Sequence, residues 1–299
     1  MHYLYFLCFR LYFRVCLRVI SVTGTLFIVP TPIGNLSDIS ARALDTLAQV
    51  DLIAAEDTRH SGQLLQHFGI KTKAISLHDH NEQQRTQLLI DKLQQGQNIA
   101  LISDAGTPLI SDPGYTLVST CRQHKLNVIA LPGPCALTTA LSASGLPTDK
   151  FTFLGFLPVK QKAKLDALLA AANSHTSCIF YEAPRRIVDT ITMCIEHLPS
   201  NHHVVLAKEL TKHFEAYVSG SAQDILDWLQ ADPLRQKGEF VLMLNCQAPD
   251  DQSLPAEALK LMLQLNDVLP PKIAAGIVSE HYKVNKKQLY QFALSKKAN

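Results

Sequence analysis

The segment Ile99-Ala-Leu-Ile-Ser-Asp-Ala-Gly-Thr-Pro-Leu-Ile-Ser-Asp-Pro-Gly114 constrains this chain more than any other. Its first four residues form an apolar run of the length of a strand buried on both faces. The loop behind them carries Gly106 and Gly114, Pro108 and Pro113, Asp104 and Asp112, and the hydroxyls of Ser103, Thr107 and Ser111. From Tyr115 to Cys121 the pattern suits a helix. Strand, loop and helix in this order build a parallel sheet, and such sheets bind ligands where the loops leave the carboxyl ends of the strands. Glycine lets backbone approach a ligand closely, and proline holds a loop in one shape.

The same grammar recurs. Leu26-Phe-Ile-Val29 runs into Pro30-Thr-Pro-Ile-Gly-Asn35, Val50-Asp-Leu-Ile-Ala-Ala55 into Glu56-Asp-Thr-Arg59, and Val128-Ile-Ala-Leu131 into Pro132-Gly-Pro134. Any one of these loops could be a plain turn, but in a parallel sheet all four share an edge and can form one cleft. Helices over 38–48, 58–68 and 81–95 fill the gaps, so residues 25–134 read β-α-β-α-β-α-β. The Gly-rich signatures G-x-G-x-x-G and G-x-x-x-x-G-K-[ST] do not occur, which counts against a dinucleotide dehydrogenase and a P-loop NTPase alike.

The fold class expected is α/β: two α/β domains with the ligand cleft between them, plus a small helical appendage. We place the first domain at 25–135 and the second at 136–246. The second holds strands at 151–158, 177–181, 204–207 and 239–245, with helices at 160–172, 187–198 and 221–230. Residues 247–299 read as a linker and three short helices, 255–265, 271–281 and 286–296, the last capped by Asn285. Their spacing suits a helix-turn-helix, and a helical lid with a solvated basic face remains the other reading. Residues 1–24 stand apart. Arg10, Arg14 and Arg18 interrupt the apolar run, which fits neither a clean membrane span nor a signal peptide. They read as an atypical, dispensable leader.

Seven scattered cysteines without a C-x-x-C pair argue for a reducing, cytoplasmic setting and against a thiolate metal site. Net charge is +2 but unevenly spread. Residues 271–299 carry six lysines against Glu280, and the leader three arginines, which leaves −6 on residues 26–270. An anionic partner would therefore lean on the C-terminal end.

Glu56-Asp-Thr-Arg59 places two carboxylates and an arginine at a strand end, suited to polar recognition or proton transfer, with Asp57 also fit to cap the next helix. His78-Asp-His-Asn-Glu82 suggests polar contacts, and Asp79 with Glu82 has the spacing of a capping box. A metal reading lacks a further ligand cluster, so none is expected. Lys208-Glu-Leu-Thr-Lys212 follows a strand of the second domain and can face the first-domain loops across the cleft.

The loops just quoted, together with Leu77-His-Asp-His-Asn-Glu82, Gly155-Phe-Leu-Pro158 and Lys208-Glu-Leu-Thr211, resemble in their joint order the ribosomal RNA small subunit methyltransferase I family of the tetrapyrrole methylase superfamily. The resemblance spans about residues 25–296. It implies S-adenosylmethionine as methyl donor, a homodimer, no membrane, and 2′-O-methylation of a decoding-centre cytidine in 16S ribosomal RNA of the small ribosomal subunit. A corrin or porphyrin methyltransferase of the same fold, and a non-catalytic RNA-binding module, are the alternatives. Cofactor contacts are expected from Pro30, from Ser103, Asp104, Ala105, Gly106, Thr107 and Pro108, from Gly133 and Pro134, and from Tyr181. Thr107 stands where the superfamily's Gly-Asp-Pro loop has its aspartate. Asp57, Glu56 and His80 are the groups to test as proton acceptors. Arg59, His78, Lys208 and Lys212, with Lys283, Lys286 and Lys287, are the expected RNA contacts.

Overall fold

The computed structural model describes residues 23–174, 176–199, 202–245 and 254–297; the leader reading falls almost entirely outside them. The first sheet consists of β1 (Thr25–Ile28), β2 (Leu52–Ala55), β3 (Ala74–Ser76), β4 (Ile99–Ile102) and β5 (Asn127–Ala130). All pairings are parallel, in the order β3-β2-β4-β1-β5. Between the strands run α1 (Ala41–Gln49), α2 (Thr58–His67), α3 (Glu82–Gln94) and α4 (Tyr115–Gln123). Every residue of β2 and β4 is buried, because helices cover both faces. Leu52, Ala54, Ile99 and Leu101 pack on Leu89, Ile90 and Leu93 of α3 and Leu117 of α4. The alternate residues, Ile53, Ala55, Ala100 and Ile102, pack on Ala43 and Leu47 of α1 and Leu65 of α2.

The strand order decides where a ligand can sit. From β1 the chain crosses over β4 to reach β2, and from β4 it crosses over β1 to reach β5. The two connections leave for opposite faces of the sheet, so a crevice opens between the carboxyl ends of β1 and β4. Those ends carry the 30–35 and 103–114 loops.

Helix α5 (Ala136–Ala143) leads to the second sheet, which contains β6 (Phe151–Phe156), β7 (Ser177–Glu182), β8 (His203–Lys208), β9 (Ala216–Gly220) and β10 (Phe240–Asn245). Its order is β6-β7-β10-β8-β9; β6 and β7 are parallel and the other pairs antiparallel. One face is covered by α6 (Gln161–Ala172), α7 (Ile187–His197) and α8 (Ala222–Gln230). On the other face, Leu137, Ala140 and Leu141 of α5, with Ile33 from the β1 loop, meet Ile179, Val205, Val241 and Met243. That shared apolar cluster joins the two sheets.

Helices α9 (Ala256–Asn266), α10 (Pro271–Tyr282) and α11 (Lys286–Lys297) enclose a core of their own around Met262, Ala275, Val278 and Leu289. The Asn285 carboxamide accepts the Lys287 N–H, as a cap should. Strands β3 and β9 go beyond the sequence reading, which passes over both. The Asp79–Glu82 capping box is corrected: α3 begins at Glu82 with Asn81 at its N-cap. The Glu82 carboxylate instead accepts the Thr116 and Leu117 N–H groups, at 2.8 and 3.3 Å, capping the start of α4. Two free N–H groups of a buried helix end outcompete the local partner. No helix among the described residues is long and apolar enough to cross a membrane.

Candidate functional site

The crevice is a cavity of about 410 Å³. The first sheet contributes Ile33, Glu56, Asp104 to Thr107 and Ile110 to Asp112; the second contributes Phe156, Tyr181, Leu210, Phe240 and Val241. Its rim is stitched from three loops. Thr31 and Gly106 exchange both backbone hydrogen bonds, at 2.9 and 3.0 Å. The Thr31 hydroxyl donates to the Ser103 carbonyl at 3.3 Å, and the Thr107 hydroxyl to the Pro134 carbonyl at 2.8 Å. Gly106 has φ +86°, a conformation that side chains other than hydrogen resist. Thr107 thus ties two loops together. Thr107→Val should loosen that tie and weaken ligand binding in the cavity about five- to tenfold, the worth of one hydrogen bond; calorimetry on the folded variant, with the S-adenosylmethionine that the resemblance implies, checks this.

The second-domain side is equally fixed. The Asn35 N–H donates to the Thr211 hydroxyl, the Leu137 N–H to the Tyr181 hydroxyl, and the Tyr217 hydroxyl to the Thr139 carbonyl, at 3.1, 3.2 and 3.0 Å. Leu109, Ser111, Glu209 and Thr211 all have positive φ without being glycine. They lie in the two loops that border the cavity, and such strain persists only where surrounding structure enforces it.

The lining is acidic. Glu56, Asp104 and Asp112 face it from the first sheet, and no lysine or arginine lines it. The Asp104 N–H donates to Glu56 Oε2 at 3.3 Å, and the Asp57 N–H to Asp104 Oδ1 at 3.1 Å. Burial pushes the Glu56 carboxyl up; the Asp104 N–H works against this, and the charges of Asp104, Asp79 and Asp57 add to it. Burial, with Glu56, Asp104 and Asp79 nearby, raises Asp112 to about 6 despite the Ser103 hydroxyl beside it. Such a site attracts a cation and repels phosphate.

Of the residues singled out from sequence, Glu56, Asp104, Ala105, Gly106, Thr107 and Tyr181 line the cavity. Pro30, Ser103, Pro108, Gly133 and Pro134 stand outside the lining; Pro134 and Ser103 hold it through their carbonyls, and Pro30 lies directly under Gly133. Asp57 caps α2, and Arg59 grips its carboxylate through Nε and Nη2 at 3.2 and 2.9 Å, which holds the acid down at about 2. Neither residue lines the cavity. His78 packs beside Asn81, with Nε2 3.1 Å from its amide nitrogen. His80 is exposed, its ring 6.0 Å from that of His78. Lys208 is buried at the end of β8. Lys212 is held by Glu209 and Glu239 at 2.9 and 3.0 Å. Lys283, Lys286 and Lys287 are exposed in the C-terminal helices. No group of three or more His, Cys, Asp or Glu side chains among the described residues is placed to hold a metal ion.

The sequence reading did not single out Asp112 or Phe156, although both lie in segments it quoted. Leu210 lies in the Lys208–Lys212 segment the sequence reading had turned toward the cleft, whereas Phe240 and Val241 carried no signal beyond apolar strand character.

Comparison with known proteins fits this architecture. Residues 25–226 match the family described as Tetrapyrrole (Corrin/Porphyrin) Methylases, and 252–297 match one described as the RsmI C-terminal HTH domain. Ribosomal RNA small subunit methyltransferase I of Vibrio cholerae is 54% identical over 270 residues, covering 90% of this chain and 94% of that protein. Its counterpart in Escherichia coli O157:H7 is 52% identical, covering 91% and 95%. The chain belongs to the ribosomal RNA small subunit methyltransferase I family. It is a methyltransferase, and the 252–297 match gives the three terminal helices their place in it as the helix-turn-helix unit. Solved structures agree on the fold. The methyltransferase CobJ superposes with TM-score 0.55 at 16% identity, covering 75% of this chain and 94% of that one. Diphthine synthase superposes with TM-score 0.58 at 12% identity, covering 74% and 90%.

Proposed function

We propose that this chain transfers the methyl group of S-adenosylmethionine to the 2′-hydroxyl of a cytidine in the decoding centre of 16S ribosomal RNA. The single observation that carries the reading is the cavity, lined by carboxylates and by apolar and aromatic side chains with no lysine or arginine, in a member of a family named for ribosomal RNA methylation. Its 410 Å³ falls in the range of small-molecule sites. The carboxylates suit the donor's positive charges, and Phe156, Leu210, Phe240 and Val241 suit its apolar and aromatic surfaces. A donor rich in phosphate would find no cation in the lining.

When bound, S-adenosylmethionine supplies an electrophilic methyl carbon on sulfonium sulfur. The chain's own residues do the rest. The stitched rim of Thr31, Gly106, Thr107 and Pro134 holds the donor in one orientation, and alignment of this kind can contribute several kcal/mol. The apolar second-domain wall excludes water. The carboxylates repel phosphates, so a target nucleotide enters sugar-first with its backbone outside. Arg59, exposed beside the crevice, is placed to meet that backbone. Lys208 and Lys212, being buried and ion-paired respectively, would act by shaping the seam.

With −6 on residues 26–270, RNA affinity rests on the C-terminal lysines. Lys283→Gln, Lys286→Gln and Lys287→Gln together should weaken binding to small ribosomal subunits and lower the salt slope by up to about 3. Donor affinity should not change. Filter binding across a salt series decides; normal binding at every salt concentration would make these helices a structural or dimer-contact element. We also infer a cytoplasmic homodimer, which sedimentation would test. The direct test of the function is methyl transfer from labelled donor to unmodified small subunits, with the modified nucleotide mapped. Label on a base, or none on RNA, would refute the reading.

A further inference from the structure

We propose that Asp112 is the catalytic residue that takes the proton from the attacking hydroxyl, an assignment that rests on the methyl-transfer reading above. In that reaction the oxygen–carbon bond forms as the carbon–sulfur bond breaks. The sulfur leaves with the electron pair as a neutral thioether, and the hydroxyl proton must go to an acceptor. An acceptor has to be in the cavity before its basicity matters.

Elimination is short among the carboxylates at or next to the cavity. Asp57 is gripped by Arg59 and lies outside the lining. Glu182 borders the cavity, but both its oxygens are taken up by Arg186, the Ala183 N–H and Thr190. Glu239 holds Lys212. Asp104 Oδ1 is held by the Asp57 N–H and Glu56 Oε2 by the Asp104 N–H, backbone donors that cannot turn away, whereas the partner of Asp112 is the Ser103 hydroxyl, which can rotate. Asp112 lines the cavity with the Ser103 hydroxyl beside it.

The backbone presents it there. Leu109 and Ser111 both have φ +73°, and the buried Pro113 follows. The Ser111 hydroxyl lies 3.8 Å from where a Cβ on Gly155 of β6 would stand, so this turn abuts the second sheet. Asp112 therefore sits at the seam. Glu56 at the end of β2, Asp79 after β3 and Asp104 and Ser103 after β4 surround it on one side. Tyr181 of β7 faces it on the other, with Cys135 near that tyrosine. No lysine or arginine lines the cavity to neutralise it. Held near 6, its carboxyl is poised to take and release a proton near neutral pH. A cation entering the cavity favours the carboxylate and expels the proton.

Two measurements test this, one of them independent of RNA. Calorimetry of S-adenosylmethionine binding at pH 6, in two buffers of different ionisation heat, should show proton release by the unaltered chain and none by Asp112→Asn, whose affinity should fall by no more than about tenfold because one attracting carboxylate is lost. Single-turnover methyl transfer should rise with pH below the acceptor's pKa and then level. Asp112→Asn should lower the plateau at least 100-fold and remove the rise. Glu56→Gln should keep the rise but move it to lower pH, because one neighbouring negative charge is gone. The assignment is overturned if Asp112→Asn keeps the rise, if Glu56→Gln is the variant that abolishes it, or if folded Asp112→Asn no longer binds the donor. No transfer to ribosomal RNA by the unaltered chain would instead refute the methyl-transfer reading, while proton release still reports on Asp112.

Discussion

Glu182→Ala is expected to lower the unfolding free energy by about 3–5 kcal/mol, the cost of leaving buried cations without their partner. The carboxylate is fully buried at the end of β7, with Lys164 2% and Arg186 14% exposed beside it. Oε1 accepts the Arg186 Nε at 2.6 Å and the Ala183 N–H at 2.8 Å; Oε2 accepts the Thr190 hydroxyl at 2.7 Å. Thr190 in turn accepts from Lys164 Nζ at 3.0 Å, and Arg186 Nη2 reaches the Leu157 carbonyl at 2.8 Å. One side chain thus joins β7, α6, α7 and the end of β6, over a cluster that includes Leu157, Leu168, Phe180 and Ile191. Total stabilities of 5–15 kcal/mol are usual, so the loss is a large share. Urea unfolding at unchanged slope measures it. Because the single variant could unfold outright, Lys164→Met with Glu182→Leu serves as the second arm and should recover part of the loss. A cost under about 1 kcal/mol for the single change would show the network to be dispensable. The same unit backs Tyr181, Ala183 and Pro184 of the cavity wall, so a folded Glu182 variant should also bind the donor more weakly.

Gly133→Val is expected to cost donor affinity at least 100-fold. A Cβ there would stand 2.5 Å from Pro30 Cβ and 2.8 Å from Pro30 Cγ. The ring is part of the backbone and cannot swing aside, so the β1 and β5 loops must separate. Separation pulls the Pro134 carbonyl from the Thr107 hydroxyl and opens the rim. Overpacking of this kind costs about 1–3 kcal/mol, which should leave the chain folded. Calorimetry with S-adenosylmethionine, beside circular dichroism to confirm folding, measures the effect. Affinity within threefold of the unaltered chain would place the donor elsewhere.

Much of this fold was legible before any coordinates, for a local reason. Uninterrupted runs such as Ile99–Ile102 can only be strands covered on both faces, and Gly69 and Gly96, both with positive φ, mark the ends of α2 and α3. Ser221 with Asp224 caps α8 in a reciprocal pair. Strands β3 and β9 were missed because neither announces itself. Ala-Ile-Ser and Ala-Tyr-Val-Ser-Gly are short edge segments, extended only because β2 and β8 lend them hydrogen-bond partners.

The site divides along the same line. Glycine, proline and hydroxyl residues dictate backbone shape within a few positions, so the four loops, their order along the chain and their common edge followed from sequence alone. What each charged side chain does there depended on neighbours tens of residues away. Glu82 left its own helix for the N–H groups of Thr116 and Leu117. Asp57, adjacent in sequence to Glu56, turned to Arg59 while Glu56 entered the cavity. Asp112 gained its character from Glu56, Asp79 and Asp104, contributed by three different strand ends, and from burial at the seam between the two sheets. Desolvation and the field of distant charges are properties of the packed chain, and only tertiary structure could decide them.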